Sequence, residues 1–168
     1  MSDFRINLND NRLAEEAAHG LDGVIDKTDP KHSKHLYGLV VQYEDIDAGG
    51  IVYHSTYLNF AERARSALLR ASKFDVQYWL AKENQGFVIT HIETDYLSPA
   101  KLHNRVIVET SCLQLGGASA LLQQDINSFD RGHIFARVMV KAAWVDIELG
   151  PRKFPEPLQM VLRSFQPK

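Results

Sequence analysis

Small apolar residues recur at helical spacing between positions 57 and 71. Tyr57, Ala61, Ala64, Leu68 and Ala71 fall on one stripe, with Glu62, Arg63, Arg65 and Arg70 mostly on the other side. Ser55 or Thr56 can cap the helix these residues predict, because their hydroxyls accept from its unpaired first N–H groups. An alanine stripe has little bulk, so its cover must be broad and must approach closely. A sheet meets both demands, and the rest of the chain supplies one. Apolar and β-branched segments predict strands over 36–43, 86–97, 105–115, 120–129 and 133–147. Gly116-Gly117 and the run from Asp130 to Gly132 mark tight turns between them. Strand, long helix, then four strands predict an α+β domain: an antiparallel sheet of about five strands wrapped around one long helix.

The flanks read differently. Residues 1–34 are expected to form a flexible surface extension carrying a short helix near 11–19, capped by Asp10 or Asn11. Residues 35–168 form the domain, ending in a Pro-rich tail that cannot join the middle of a sheet, since proline donates no hydrogen bond. Asp75 is placed to cap a second short helix over 75–82.

Bulk properties remove several classes of function. Nineteen basic residues against 21 acidic ones give a net charge of -2, without the basic field of a nucleic-acid binder. No apolar run approaches the length of a transmembrane helix, and residues 1–8 lack a secretory signal. One cysteine, Cys112, forms neither an internal disulfide nor a Cys-rich metal site, which fits a reducing, cytoplasmic setting. Within its strand pattern it reads as a packed thiol.

The densest polar constellation is Tyr43-Glu-Asp-Ile-Asp-Ala-Gly-Gly-Ile-Val-Tyr-His54, between a strand end and the helix start. Free N–H groups at a helix start suit a polarised or anionic oxygen. A nearby carboxylate can serve as base or nucleophile. The plainer alternative is a turn whose aspartates cap backbone. A calcium loop counted from Asp45 would place Thr56 at the position of the bidentate glutamate, which excludes an EF-hand. The Gly-Lys-Ser/Thr of a phosphate loop is missing. A metal site on Asp45, Asp47 and His54 lacks a supporting second cluster, so no metal is expected. Elsewhere His91 reads as a core or lining histidine, His19, His32 and His35 as solvated tail residues, and His103 as part of a turn. Trp79 and Trp144 read as packing residues. Glu62, eight residues after His54, either aims at the same cavity or pairs with Arg65 or Arg63.

This motif, continued by Tyr57-Leu-Asn-Phe-Ala-Glu-Arg-Ala-Arg65, resembles the hotdog-fold acyl-CoA thioesterases. The nearest branch is the Tol-Pal-associated one, with 4-hydroxybenzoyl-CoA thioesterases more distant. The likeness spans about residues 36–160 and takes in Asp95-Tyr-Leu-Ser-Pro-Ala100, Gly117-Ala-Ser119 and Pro151-Arg-Lys-Phe-Pro155. His103 departs from the acidic residues relatives usually carry there. The resemblance implies a hotdog fold, sheets paired side by side in a homodimer, and assembly to a homotetramer with active sites between subunits. It implies acyl-CoA as substrate, acyl carrier protein as a further partner, and no cofactor. Asp47 matches the catalytic aspartate, Asp45 a supporting acidic position, and His54 the family histidine. Backbone N–H groups around Tyr53 and His54 would polarise the thioester carbonyl. Gly49, Gly50, Tyr57, Glu62 and His91 would bound the substrate. Two competing readings are a non-catalytic scaffold that binds acyl-CoA or acyl carrier protein, and a hotdog dehydratase. The latter would place its acid–base pair differently.

Overall fold

The computed structural model of the protein describes residues 8–29 and 31–167. The expectation about residues 1–8 therefore falls almost wholly outside the described residues. The order is α1 (Leu8–His19), β1 (Val24–Asp26), β2 (Lys34–Val40), α2 (Thr56–Ala71), α3 (Val76–Glu83), β3 (Gln85–Tyr96), β4 (Arg105–Leu115), β5 (Ser119–Ser128), β6 (Ile134–Asp146), β7 (Gly150–Pro151) and α4 (Glu156–Ser164). Every pairing is antiparallel, in the order β1-β2-β4-β5-β6-β3, with β7 added at the end of β6. The five expected strands are the long ones; β1 and β7 add two short ones. Among the described residues no helix is long and apolar enough to cross a membrane.

The sheet has two unlike faces. One packs on α2: Val106, Val108, Ile126, Val138 and Val140 form a core with Tyr57, Phe60, Ala61 and Ala64. The alanines let helix and sheet approach, and Phe60 supplies bulk that the expected stripe omitted. A second core centres on Trp144, completely buried against Phe74, Phe87 and Phe154. Its lid is α4, which the sequence reading missed. Pro155 and Pro157 sit at the start of that helix, where a missing N–H costs nothing, while Pro151 lies in β7. Leu158, Leu162 and Phe165 then point inward. Burial of each contributes about 1.5–3 kcal/mol.

The extension is also more built than expected. α1 starts at Leu8, ahead of Asp10 and Asn11, and lies on the other face of the sheet. Ala14 and Ala17 are buried there with Leu36 and Ile107. The fit is close enough that a Cβ on Gly38 would sit 2.6 Å from Ala18 Cα. Next, β1 pairs with β2, and Asp22 reaches Arg70 at the end of α2 (2.6 Å). His35, expected to be solvated, is fully buried, and its Nε2 lies 2.7 Å from the Asp22 carbonyl. Alanine-faced contact, a strand pairing and a buried histidine replace the loose tail.

Candidate active site

The loop between β2 and α2 is shaped by its own backbone. Tyr43–Asp45 forms one 3-10 turn, after which Ile46 bridges Val52 and Ile51 bridges Lys101. Asp47 N–H donates to Ile51 O (2.9 Å), and Gly50 N–H returns to Asp47 O (3.0 Å). Gly50 adopts φ +75°, which an L side chain rarely tolerates. Gly49 is needed for space instead, since a Cβ there would lie 3.0 Å from Asp47 Oδ1.

The two aspartates part company here. Asp45 is buried and its carboxylate accepts from Gln42 N–H at 2.7 Å. Asp47 is exposed; Oδ1 accepts from Gly49 N–H at 2.7 Å, and the loop holds its carboxylate outward. Both make backbone contacts, but only Asp47 faces solvent. Among the described residues no group of three His, Cys, Asp or Glu side chains is arranged to hold a metal ion.

Where the loop meets α2, Thr56 N–H donates to Tyr53 O (2.9 Å) and Leu58 N–H to Ser55 O (3.0 Å). The N–H groups of His54, Ser55 and Tyr57 find no acceptor among the described residues. Tyr53 N–H does not join them. It donates to Asp45 O at 2.9 Å, which removes it as the expected carbonyl polariser. Its ring lies beside that of His54, centroids 4.3 Å apart, and both side chains are exposed.

The side chains of three residues expected around the substrate have other neighbours. Tyr57 is buried, and its hydroxyl oxygen accepts from Ala100 N–H (3.0 Å), so it braces the core; burial raises its phenol above the ordinary range. Glu62 lies roughly 12 Å along the helix from His54 at 1.5 Å per residue. It pairs with Arg65, whose other nitrogen donates to buried Gln124 (2.6 Å). His91 is exposed and pairs with Lys141, not with the residues facing α2. A bulge between Ile89 and His91 causes this: the extra residue, Thr90, reverses the alternation, so His91 turns to the face away from α2.

The apolar space lies further along α2. A cavity of about 150 Å³ is lined by Leu68, Leu69, Phe87, Ile89, Leu122 and Leu162, with Glu62 and Arg65 at its polar side. Cys112 is buried, and burial pushes its thiol up to about 11, which makes it a poor nucleophile. The sequence reading missed two contributors near the motif. Tyr96, on β3, donates its hydroxyl to His54 O (3.0 Å). Ala100 both accepts from Val52 N–H (2.9 Å) and donates to Tyr57. Both lie in the segment Asp95-Tyr-Leu-Ser-Pro-Ala100, whose part in the family resemblance was the available signal.

An antiparallel sheet with this strand order, packed on one long helix that follows its first long strand, is the hotdog architecture. The model of the thioesterase superfamily matches residues 49–134, about half of the chain. Acyl-CoA thioesterase YbgC of Haemophilus influenzae is 38% identical over 127 residues, covering 75% of this chain and 92% of that protein. A probable thioesterase from Bartonella henselae superposes with a TM-score of 0.68 at 30% identity, over 73% of this chain and 99% of that one. Slr0204 of Synechocystis, a 1,4-dihydroxy-2-naphthoyl-CoA thioesterase, superposes at 0.73 with 19% identity, over 77% and 96%, a likeness of fold. The chain belongs to the thioesterase superfamily.

Proposed function

We propose that this protein hydrolyses the thioester of an acyl-CoA to a free carboxylic acid and coenzyme A, with Asp47 as base or nucleophile. The observation that carries this reading is the solvent-facing Asp47 carboxylate on a loop leading into the unpaired N–H groups at the start of α2. The thioester carbonyl rests against the His54 and Ser55 N–H groups, which stabilise the negative charge developing on its oxygen. Such a donor typically contributes roughly 100- to 1,000-fold in rate. Asp47 then either takes a proton from the attacking water or attacks the carbonyl itself. In the second case water cleaves the resulting anhydride. Either way the C–S bond breaks, and the thiolate leaves with a proton from solvent or from His54. An acyl group on acyl carrier protein presents the same thioester. The likeness to the acyl-CoA thioesterase YbgC of Haemophilus influenzae supports the substrate class.

Asp47 does not line either of the two cavities beside α2, which favours a site completed by a second copy. The long outer strand β3 exposes Val88, Ile89 and Ile92 and offers the edge for a homodimer, from which a homotetramer is built. A cytoplasmic setting suits the free thiol of Cys112.

The test is a panel of acyl-CoA esters of graded chain length, read with a thiol reagent, on the native protein and on Asp47→Asn. Turnover by the native chain and its loss in the folded variant are expected. Near-normal turnover by Asp47→Asn removes Asp47 from the chemistry. Silence of the native protein across the panel, with tight acyl-CoA binding, selects the scaffold reading.

A further inference from the structure

We infer that Tyr96 is a positioning residue for the reaction: its hydroxyl, bonded to the His54 carbonyl, fixes and polarises the His54–Ser55 peptide whose N–H faces the substrate oxygen. The inference rests on the hydrolytic reading above.

Tyr96 lies at the end of β3, about half exposed, so burial does not force its hydroxyl into a bond. It nevertheless donates to His54 O at 3.0 Å, across 42 positions of chain. Its ring is held edge-on against two others, His54 (centroids 6.5 Å apart) and Tyr57 (5.8 Å). Tyr57 is itself fixed by Ala100 N–H. The hydroxyl is thus braced from the core outward.

A trans peptide is planar, with C=O and N–H pointing in opposite directions. Turning the His54 carbonyl toward Tyr96 turns the Ser55 N–H to the far side, and that N–H has no acceptor among the described residues. A carbonyl that accepts a hydrogen bond also makes its own N–H a better donor, because bonded amides polarise one another. The neighbouring peptide is treated alike: the Tyr53 carbonyl accepts from Thr56 N–H, and the His54 N–H on that peptide is also without an acceptor among the described residues. Two adjacent peptides are therefore anchored at their oxygens and open at their nitrogens. The helix supplies one anchor and β3 supplies the other through Tyr96. No proton is transferred along the chain; the phenol keeps its hydrogen throughout.

The experiment compares the full-length protein with Tyr96→Phe and with Tyr96→p-aminophenylalanine, which keeps a donor at the same place. Because Tyr96 acts through a peptide, its loss is expected to cost about tenfold in kcat, less than removal of a direct donor. KM and the melting temperature should stay near native values, and the amino variant should recover most of the rate. The second readout is the 15N and 1H shift of the Ser55 amide, which should move in Tyr96→Phe and return with the amine. Native kcat and an unmoved Ser55 amide in Tyr96→Phe overturn the inference. So does a variant that loses melting temperature and rate together and regains only stability with the amine. If the native chain cleaves no thioester, the hydrolytic reading fails, and the Ser55 amide still decides whether Tyr96 governs that peptide.

Discussion

Asp45 and Asp47 stand two positions apart, and their carboxylates accept from different loops of backbone at the same distance: Gln42 N–H at 2.7 Å for the buried one, Gly49 N–H at 2.7 Å for the exposed one. Removing Asp45 strips the part-buried bond to Gln42 N–H of its charged acceptor, a loss of about 1.5 kcal/mol. Asp45→Ala should therefore melt earlier and keep part of its activity. Asp47→Ala should melt near the native temperature and lose hydrolysis. Thermal denaturation beside a thiol-release assay separates the two.

The paired glycines should part in the same experiment. Gly50→Ala places a side chain at φ +75°, a left-handed conformation that costs roughly 1–2 kcal/mol. Gly49→Ala instead sets a methyl 3.0 Å from Asp47 Oδ1. We expect Gly50→Ala to lower the melting temperature, and Gly49→Ala to lower kcat with a smaller thermal effect.

Gln124 ties helix to sheet from a fully buried position. It donates to Ala61 O (2.9 Å) and Thr110 Oγ1 (3.1 Å) and accepts from Arg65 (2.6 Å). Gln124→Leu leaves these groups unsatisfied and should destabilise the fold by about 2–4 kcal/mol. A urea midpoint reduced without a change of slope is the expected result.

His35 makes stability depend on pH. Burial holds its imidazole below the ordinary range, outweighing the opposite pull of the Asp22 carbonyl and carboxylate, while Arg70 adds to the lowering. On acidification the unfolded chain binds a proton before the native one does. The stabilisation is complete above the ordinary histidine value of about 6.5 and is lost as pH falls through the lower native value. Urea midpoints measured from pH ~7.5 down to ~5 should fall, and His35→Gln should flatten that part of the curve.

Much of this architecture was legible because periodicity reports burial. The stripe through Ala61 and Ala64 located α2, and the apolar, β-branched segments of β4, β5 and β6 between their turns located its cover. Three features escaped for identifiable reasons. His91 follows an inserted Thr90, and counting by twos from Phe87 and Ile89 assigns it the wrong face. The helix holding Leu158 and Leu162 begins among prolines, which read as a tail although proline is welcome in a first helical turn. Ala14 and Ala17 carry the same signal as the α2 alanines but were weighed as part of a terminus. In the site, the motif located the loop and the resemblance told Asp47 from Asp45, while the burial of the Asp45 carboxylate depends on the fold and could not be read from spacing. Tyr96 joins His54 from a distant strand, a meeting that spacing within the loop cannot express.

Gly38→Ala should loosen α1 selectively, since its methyl would meet Ala18 Cα at 2.6 Å. Limited proteolysis should then cut faster around residues 20–30, with hydrolysis little changed.

The β1 strand has a further consequence for association. Pairing with β2 over Val24–Asp26, it occupies one side of the sheet with the chain's own backbone and leaves β3, twelve residues long, as the extended side. The two edges are therefore unequal: β1 offers three residues of unpaired backbone and β3 offers twelve, and a very short edge strand is a poor template for pairing with another chain.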